Sequence, residues 1–267
     1  MVLKKIKSQK KFMNKKNAKK YPKISIVTVS LNSEKTIKRC IDSVINQNYP
    51  NKKIEYVIID GASKDKTVSI INKKKKKLKY FQSMKDEGIY DAMNTGIKQC
   101  TGEIIGILNS DDFFFKNTFK IVAKYFDDTK LDYLFGSVIK KRIYHNFVPS
   151  KLWYTFNFYP SHSVSFFIKH KTQKKVGMYN TKFKHSADRD LFYRLIKKKF
   201  KGASTKKNEV FGKFNMYGIS SKITFFQKNL EEIRIRLSNN ENFFKVIIIF
   251  FIYSSYFCIK KLINFFK

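Results

Sequence analysis

Cysteine, proline, tryptophan and arginine are all scarce in this chain of 267 residues, and the scarcities exclude several protein classes. There are four prolines, one tryptophan and three widely spaced cysteines, Cys40, Cys100 and Cys258. Without a Cys-x-x-Cys pair, we expect neither a disulfide framework nor a zinc site, and the thiols fit a reducing, cytosolic setting. A hydrophobic content of 43% excludes wholesale disorder.

Acidic residues are also few, because 20 Asp and Glu stand against 56 Lys and Arg, which gives a net charge of +36. Such a charge suggests nucleic-acid binding through counterion release from phosphates. Base readout and bidentate phosphate contacts favour arginine, however, and only six of the basic residues are arginine. We therefore expect a solvated lysine surface and no nucleic-acid partner.

The pattern of charge divides the chain into three parts. Residues 1–22 form a basic arm without an apolar core, so they do not resemble a secretory signal peptide. Regular patterning begins at Lys23, and the sequence predicts a catalytic domain over 23–222. Residues 223–267 are predicted to be a helical segment of a different character.

That last segment contains an apolar run, "VIIIFFIYSSYFCI" at 246–259, flanked by Lys245, Lys260 and Lys261. A membrane-spanning helix needs about 20 apolar residues, so 14 are too few. Two interpretations remain open: a segment lying in the membrane interface, and a buried terminal helix or partner surface. The first would place the protein in the cytoplasm, peripheral at the inner face of the plasma membrane, where anionic lipid attracts lysine.

Short apolar runs alternate with helical patterns from residue 23 to residue 108. This alternation predicts an α/β fold, with a mostly parallel twisted sheet and helices on both faces. The predicted strands are "KISIVTVS" from Lys23, "IEYVIID" at 54–60, "LKYFQS" at 78–83 and "EIIGIL" at 103–108.

Polar residues follow three of these strands: "SLN" at 30–32, "DGAS" at 60–63 and "NSDD" at 109–112. Ligands of parallel sheets bind beyond the carboxyl ends of the strands, so this edge is the predicted site. The adjacent carboxylates of Asp111 and Asp112 would repel each other unless a hard cation such as Mg²⁺ or Mn²⁺ neutralised them. The alternative is that they cap the helix predicted near Asn117.

Six segments in the same order resemble the family 2 glycosyltransferases of the GT-A fold, from about Lys23 to about Lys222. The most specific is "DEGIYDAMNTGIKQCTGEIIGILNSDD" at 86–112, and in the first segment Val29 and Leu31 replace residues frequent in the family. The others are "ISIVTVSLN", "VIIDGASKDKT", "PSHSVSFF", "FKHSADRDLFYRL" and "FNMYGISSK".

The resemblance implies an inverting transferase with a nucleotide-sugar donor and a divalent cation. Asp112, assisted by Asp111, would hold the metal, and Asp111 would also contact the ribose. Asp60 would hydrogen-bond the nucleobase, and Lys85 would lie near a phosphate. The residues matching the family's nucleotide-sugar site are Thr28, Ser30, Asn32, Asp60, Lys85, Asp86 and Asp111.

Asp188 matches the acid that begins a helix in the family and acts as the catalytic base. A helix N-terminus stabilises the anion and lowers its basicity, which burial or substrate contact would have to restore. The alternative is a simple helix cap. Asp190 and His162 match acceptor-side, site-lining positions, although we favour an ion pair with Arg194 for Asp190, and His162 is equally explained as a satisfied polar group.

We therefore expect a glycosyltransferase of cell-surface polysaccharide or lipopolysaccharide synthesis, with a UDP-linked donor and a glycan or lipid-linked acceptor. A non-catalytic nucleotide-sugar-binding protein is the alternative from another class, and a basic membrane-surface or nucleic-acid module is a third. A nucleotidyltransferase would usually carry a glycine-rich phosphate loop after the first strand, and "SLNSEK" is not one.

Overall fold

The structure is a computed structural model that describes residues 21–128, 130–145, 147–216, 218 and 223–265. Nearly all of the predicted basic arm therefore lies outside the described residues, as do residues 219–222 at the predicted end of the catalytic domain. The division into three parts stays a prediction.

The first half of the chain forms the parallel strands that the sequence predicts. Strands β1 to β4 lie side by side in the order β4-β1-β2-β3, and every pairing among them is parallel. The elements are β1 (Ile24–Ser30), α1 (Ile37–Ile45), β2 (Ile54–Asp60), α2 (Thr67–Asn72), β3 (Tyr80–Ser83), α3 (Ile89–Lys98) and β4 (Ile104–Asn109).

The second half extends this sheet and builds a smaller one. The large sheet has the order β10-β6-β9-β4-β1-β2-β3, with β9 antiparallel to both neighbours, and the small sheet has the order β5-β11-β7-β8. The further elements are β5 (Phe113–Phe114), α4 (Thr118–Phe126), β6 (Tyr133–Phe135), β7 (Ser137–Ile139), β8 (Ile143–Tyr144), β9 (Phe166–Lys169), α5 (His170–Val176), α6 (Ala187–Lys197), β10 (Gly202–Ser204) and β11 (Val210–Lys213).

Alternate residues of the central strands enter two separate hydrophobic cores, one on each face of the large sheet. Val27 and Val29 pack against α3 and α6, whereas Ile24 and Ile26 pack against α1 and α4. At Gly96 of α3, an added Cβ would lie 2.3 Å from a methyl group of Val27, so this helix approaches β1 closely because it carries glycine there. The predicted α/β architecture with helices on both faces is confirmed.

Two helices, α7 (Phe225–Ser238) and α8 (Phe243–Phe265), confirm the predicted helical carboxyl segment. Thr224 and Gln227 form a reciprocal capping box that begins α7. Within α8, Val246 is buried, whereas exposed apolar side chains recur from Phe244 onwards. Among the described residues, no helix combines the length and the hydropathy that crossing a membrane requires.

Candidate active site at the carboxyl edge of the sheet

The loops that follow β1 and β2 meet at Asp60, the last residue of β2. Its carboxylate accepts hydrogen bonds from the hydroxyls of Ser30 (2.9 Å), Ser63 (2.5 Å) and Ser83 (2.7 Å) and from the Ser63 amide (2.9 Å). These four bonds match the roughly four acceptor sites of a carboxylate, and Asp60 has no exposed surface. Contact with a nucleobase would require a hydroxyl to leave, and that of exposed Ser83 is the best placed to do so.

Asn32 and Asp86 complete this first group of predicted residues. Asn32 has a positive φ of 48°, and its backbone amide donates a hydrogen bond to the Ser63 hydroxyl at 2.8 Å. The Asp86 carboxylate lies over the loop after β2, where a Cβ added to Gly61 would be 2.8 Å from Asp86 Oδ2. Lys85 is exposed beside it. The structure therefore brings the loops after β1, β2 and β3 together at one edge of the sheet.

Thr28 does not line this edge, which corrects the expectation that it contacts base and ribose. The side chain is fully buried, and its hydroxyl forms a hydrogen bond with the Tyr56 hydroxyl at 3.0 Å. The thiol of Cys40 in α1 lies 3.7 Å away, and burial raises the pKa of that thiol to about 12. Thr28 is covered because it lies two residues before the strand ends, where α1 still packs on the sheet.

Asp111 and Asp112 follow β4, and both accept hydrogen bonds from Asn215, which lies just beyond β11. The Asn215 amide donates to Asp112 Oδ1 at 2.7 Å, and its side-chain nitrogen donates to Asp111 Oδ2 at 3.1 Å. Asp112 Oδ2 is buried without a hydrogen-bond partner among the described residues. Burial, with the Asp111 charge added to it, raises the pKa of Asp112 to about 7, and burial also raises the pKa of Asp111.

These two carboxylates fit a hard divalent cation better than a capping role. Neither side chain caps α4, whose N-cap is Asn117. The unpaired Asp112 oxygen has a second unpaired atom in the same turn, Asn109 Oδ1, and oxygen donors of this kind suit Mg²⁺ or Mn²⁺. No three His, Cys, Asp or Glu side chains gather around a point in the described part of the chain.

Asp188 is the second residue of α6 and is held by two tyrosines from different segments. The Tyr90 hydroxyl donates to Oδ1 at 2.9 Å, and the Tyr159 hydroxyl donates to Oδ2 at 2.9 Å. Burial raises the pKa of both tyrosines well above their usual value, so they stay protonated as donors. Because Tyr90 lies in the first turn of α3, the helix that follows β3, Asp188 lies at the same edge of the sheet as the other acids.

His162 joins the Asp188 cluster to the end of β4. Its Nε2 lies 2.7 Å from the Tyr179 hydroxyl, and its ring packs on Tyr90 and Phe192. Burial lowers the pKa of His162, which keeps the ring neutral. The next residue, Ser163, accepts a hydrogen bond from the Asn109 amide at 2.9 Å. His162 therefore lies between the candidate base and the candidate metal site.

Asp190 points away from this edge and is paired with α6 and α7 residues. Its carboxylate contacts Arg194 at 2.9 Å and accepts a hydrogen bond from Asn239 at 2.9 Å. The ion pair at i,i+4 is the role that the sequence favoured, and the geometry gives no support to the site-lining role. Sequence reasoning missed Tyr90, Tyr159 and Asn215, although the first stands within the most specific segment, "DEGIYDAMN".

Comparisons with known proteins identify the family. The sequence profile described as Glycosyl transferase family 2 matches residues 25–200. An uncharacterised glycosyltransferase of Mycobacterium tuberculosis is 38% identical over 35% of the chain and 35% of its own length. The poly(ribitol-phosphate) beta-N-acetylglucosaminyltransferase TarS of Staphylococcus aureus is 32% identical over 42% of the chain and 20% of its own length. The matched segment thus spans only about a third or less of these relatives.

Solved structures show the same fold at low sequence identity. TarS in complex with UDP-GlcNAc superposes with a TM-score of 0.64 at 18% identity, covering 85% of the chain and 70% of the solved one. A mannosyltransferase of Pyrobaculum calidifontis in complex with GDP-Man and Mn²⁺ gives 0.65 at 18% identity, over 82% and 64%. With the profile covering most of the chain, the protein belongs to the family 2 glycosyltransferases.

Proposed function

We propose that this chain is an inverting glycosyltransferase that moves a sugar from a nucleotide-linked donor to a hydroxyl group of a glycan or lipid-linked acceptor. The observation that carries the proposal is the buried, unpaired oxygen of Asp112 beside Asp111, at the same edge of the sheet as Asp188. An unpaired buried carboxylate oxygen costs free energy, so a ligand that completes it is the expected reason for its presence.

In the proposed reaction, an acceptor oxygen attacks the anomeric carbon while the bond from that carbon to the diphosphate oxygen breaks. The configuration inverts, the nucleoside diphosphate leaves, and the hydroxyl proton passes to Asp188. Tyr90 and Tyr159 fix the carboxylate through one hydrogen bond to each oxygen, and a second lone pair on each stays available for the proton. A bound divalent cation would stabilise charge on the leaving diphosphate.

For the donor, we assign the nucleotide to the loops after the first three strands. Asp60, with Ser30 and Ser63 fixed on it, would form the base pocket, and Asn32 would lie at the ribose. Lys85 and Asp86 would lie along the phosphates and sugar, and Asp111 would contact ribose as well as metal. UDP is the donor nucleotide that we propose, since the relative TarS was solved with UDP-GlcNAc.

The proposed setting is cell-surface polysaccharide synthesis at the cytosolic face of the membrane. The exposed apolar side chains of α8 support a peripheral position there, because in the sequence they are flanked by Lys245, Lys260 and Lys261, a pattern typical of membrane-interface helices. A lipid-linked acceptor would be reached from such a position.

Release of nucleoside diphosphate tests the proposal directly. The purified chain would be incubated with UDP-, GDP- and dTDP-sugars in Mn²⁺, Mg²⁺ or chelator. We expect slow, metal-dependent hydrolysis of one donor, lost in Asp112→Asn and retained in Asp128→Asn, which removes an exposed carboxylate remote from the edge. Donor binding without any release, in every metal, would instead favour the non-catalytic binding protein. No binding of any nucleotide sugar would contradict both.

A further inference from the structure

A cavity of about 320 Å³ opens beside Asp111, between α1 and the small sheet. Its lining comes from α1, the turn after β4 and the small sheet with the residues that follow β11, and the described lining includes no residue of the loops after β1, β2 and β3. The volume falls at the lower end of the range for small-ligand sites, about 300–1,000 Å³. Asp111 is shared with the proposed donor site, but that assignment gives no role to the cations of the described lining.

Four cations line this cavity: Arg39, Lys140, Lys141 and Lys213. Asp111 is the one carboxylate in the described lining. None of the four cations forms a salt bridge to a carboxylate in the described ranges. The cavity therefore carries a net positive charge, which the carboxylates of Asp111 and Asp112 offset only in part.

Aromatic rings, not carboxylates, position two of these cations. The Arg39 guanidinium lies 4.5 Å from the Phe113 ring centre, and its Nη2 donates to the Asp111 carbonyl at 3.2 Å. Lys140 Nζ lies 4.8 Å from the Phe214 ring centre and 5.0 Å from that of Tyr144. Rings hold a cation without cancelling its charge, so the cavity is preorganised for an anion.

We propose that this cavity binds a phosphoryl group carried by the acceptor, so that the substrate class is a phosphate-bearing glycan or lipid. Guanidinium and ammonium groups converging on one cavity match phosphate oxygens, with Arg39 offering paired donors and the lysines point charges. Phe113 and Phe214 line the same cavity and add apolar surface for the carbon skeleton of the attached sugar or polyol.

This inference rests on the proposed function, and the arrangement of the edge favours the acceptor over the donor as the source of the phosphate. The donor diphosphate has a counter-charge of its own in the cation proposed at Asp111 and Asp112. The Asp188 cluster reaches the end of β4 through Ser163, and the cavity adjoins Asp111 beyond it. An acceptor whose hydroxyl lies at Asp188 would therefore pass the carboxylate pair and place its phosphate in the cavity.

The test uses binding, not transfer, so its failure is distinct from failure of the transferase proposal. Phosphorylated mannan and the same mannan after phosphatase treatment would be immobilised, and the full chain applied at fixed ionic strength. We expect at least about tenfold tighter binding to the phosphorylated form. In Lys140→Gln/Lys141→Gln/Lys213→Gln that preference would fall by about tenfold or more, with UDP affinity unchanged.

The matched control removes three charges elsewhere, in Lys52→Gln/Lys53→Gln/Lys76→Gln, which lie at the opposite, amino-terminal edge of the sheet. It should keep the preference. Because Lys140 is partly buried, the exposed pair Lys141→Gln/Lys213→Gln repeats the test without risk to the fold. Competition by glucose 1-phosphate or by octyl phosphate would identify a glycan or a lipid source.

Three results would overturn the inference. Equal loss in the control triple variant would mean general charge attraction. An equal loss of UDP affinity in the cavity variant would assign the cavity to the donor diphosphate. Equal binding of both mannan forms by the natural chain would show that the cavity does not select phosphate.

Discussion

Asp188 is oriented by two hydroxyl groups that come from segments 69 residues apart, Tyr90 and Tyr159. A carboxylate that removes a proton must be aimed at the attacking hydroxyl, and one torsion separates a productive from an unproductive direction. The two hydrogen bonds remove that freedom, since Tyr90 is buried and Tyr159 is partly buried, each against aromatic neighbours. At the scale of single residues, the tyrosines are therefore positioning groups for the proposed base.

Replacing Tyr159 by phenylalanine should lower kcat without weakening the binding of the donor. Loss of one hydrogen bond to a charged group corresponds to about 1.5–3 kcal/mol, or roughly ten- to a hundredfold in rate if all of it is lost in the transition state. Initial rates at saturating and limiting donor would separate kcat from KM. Tyr125→Phe, which removes a hydroxyl bonded to Glu209 far from the edge, should leave both unchanged. A raised donor KM with unchanged kcat would show that Tyr159 serves binding instead.

In the metal-free protein, the charged carboxylate of Asp112 should lower the free energy of unfolding, and this gives a second prediction. Its folded pKa of about 7 lies above the unfolded value of about 3.9, so the folded state binds the proton more tightly. The contribution of this group to the free energy of unfolding is fully present below about pH 3.9. It falls as the pH rises to 7, and it is lost above that.

At pH 8 without metal, Asp112→Asn should therefore raise the free energy of unfolding, by up to about 4 kcal/mol. Thermal melts in chelator at pH 8 and at pH 5 would measure it, and the gain should shrink at the lower pH. Added Mn²⁺ should stabilise the natural chain and not the variant. A variant that melts lower at pH 8 would contradict the cost assigned to the unpaired oxygen. A more stable yet inactive variant would also exclude misfolding as the cause of lost activity.

The sequence predicted these acids better than their surroundings. Asp111, Asp112 and Asp188 stand in segments whose spacing and order are specific, so residue type and position were readable together. Thr28 was misplaced because it lies two residues before Ser30, so both side chains point to the same face of β1. The side chain at the end of the strand reaches the crevice, whereas the one two residues earlier lies under α1. The alternation of polar and apolar residues does not distinguish these two positions. Tyr159 was not predicted as a site residue because its partner lies across the fold.

At the scale of elements, the amino-terminal edge of the sheet is fastened by Glu55 of β2. Its carboxylate contacts Lys23 at 2.6 Å and Lys79 at 3.0 Å, and it accepts bonds from Ser25 and Thr101. Burial alone would raise the pKa of Glu55, but the bonds from lysine, threonine and serine outweigh it and hold the pKa well below its usual range. One buried carboxylate thus joins β1, β2 and the turn before β4.

Because the folded pKa of Glu55 is depressed, its stabilising effect is present above the usual glutamate value of 4.5 and is lost as pH falls below it. Glu55→Gln should therefore lower the free energy of unfolding at pH 7 by about 2 kcal/mol, with a difference that shrinks towards pH 3. Urea unfolding at both pH values measures this. Asp128→Asn, which breaks an exposed pair with Lys201, is the control and should change little. A difference that is constant with pH would mean that charge plays no part.

The small sheet shows which elements the sequence does not predict. Its strands β5, β7, β8 and β11 have two to four residues each, too few for an alternation of polar and apolar positions to be recognised. For residues 130–150 the sequence is typical of paired strands, but it does not show to which sheet they belong. The structure assigns β6 to the large sheet and β7 and β8 to the small one, a division made by tertiary packing that brings β11 beside β7.

The whole molecule has a net charge of +36, with only 20 Asp and Glu residues, and several of these acids lie at one edge of the sheet. The lysines that surround this edge would attract an anionic surface or polymer over about 10 Å at moderate salt. Carboxylates within a positive surface would also allow the proposed cation and anionic substrates to bind next to one another. Charge distribution and site chemistry are thus consistent with one proposed role.

Variants of helix α8 would test whether the protein binds to the membrane surface as proposed. Its exposed apolar residues recur at helical spacing, with Ile248, Ile252 and Ile259 about 56–64% exposed, although no described helix has the length and hydropathy to cross a bilayer. Each such side chain buried in a lipid interface contributes up to about 1.5–3 kcal/mol, so replacing all three by glutamine should reduce vesicle binding by more than about tenfold. Sedimentation with vesicles of zwitterionic lipid, with and without anionic lipid, measures it.

Anionic lipid should strengthen binding of the natural chain, and added salt should weaken it, because lysines contribute electrostatically. Ile143→Gln/Met178→Gln, which removes exposed apolar side chains from other surfaces, should bind as the natural chain does. Equal sedimentation of the α8 variant and the natural chain would show that this helix is not the anchor. In that case the stripe would have to be covered by protein, and the concentration dependence of the oligomeric state would report it, because a dimer formed through α8 dissociates in the same triple variant.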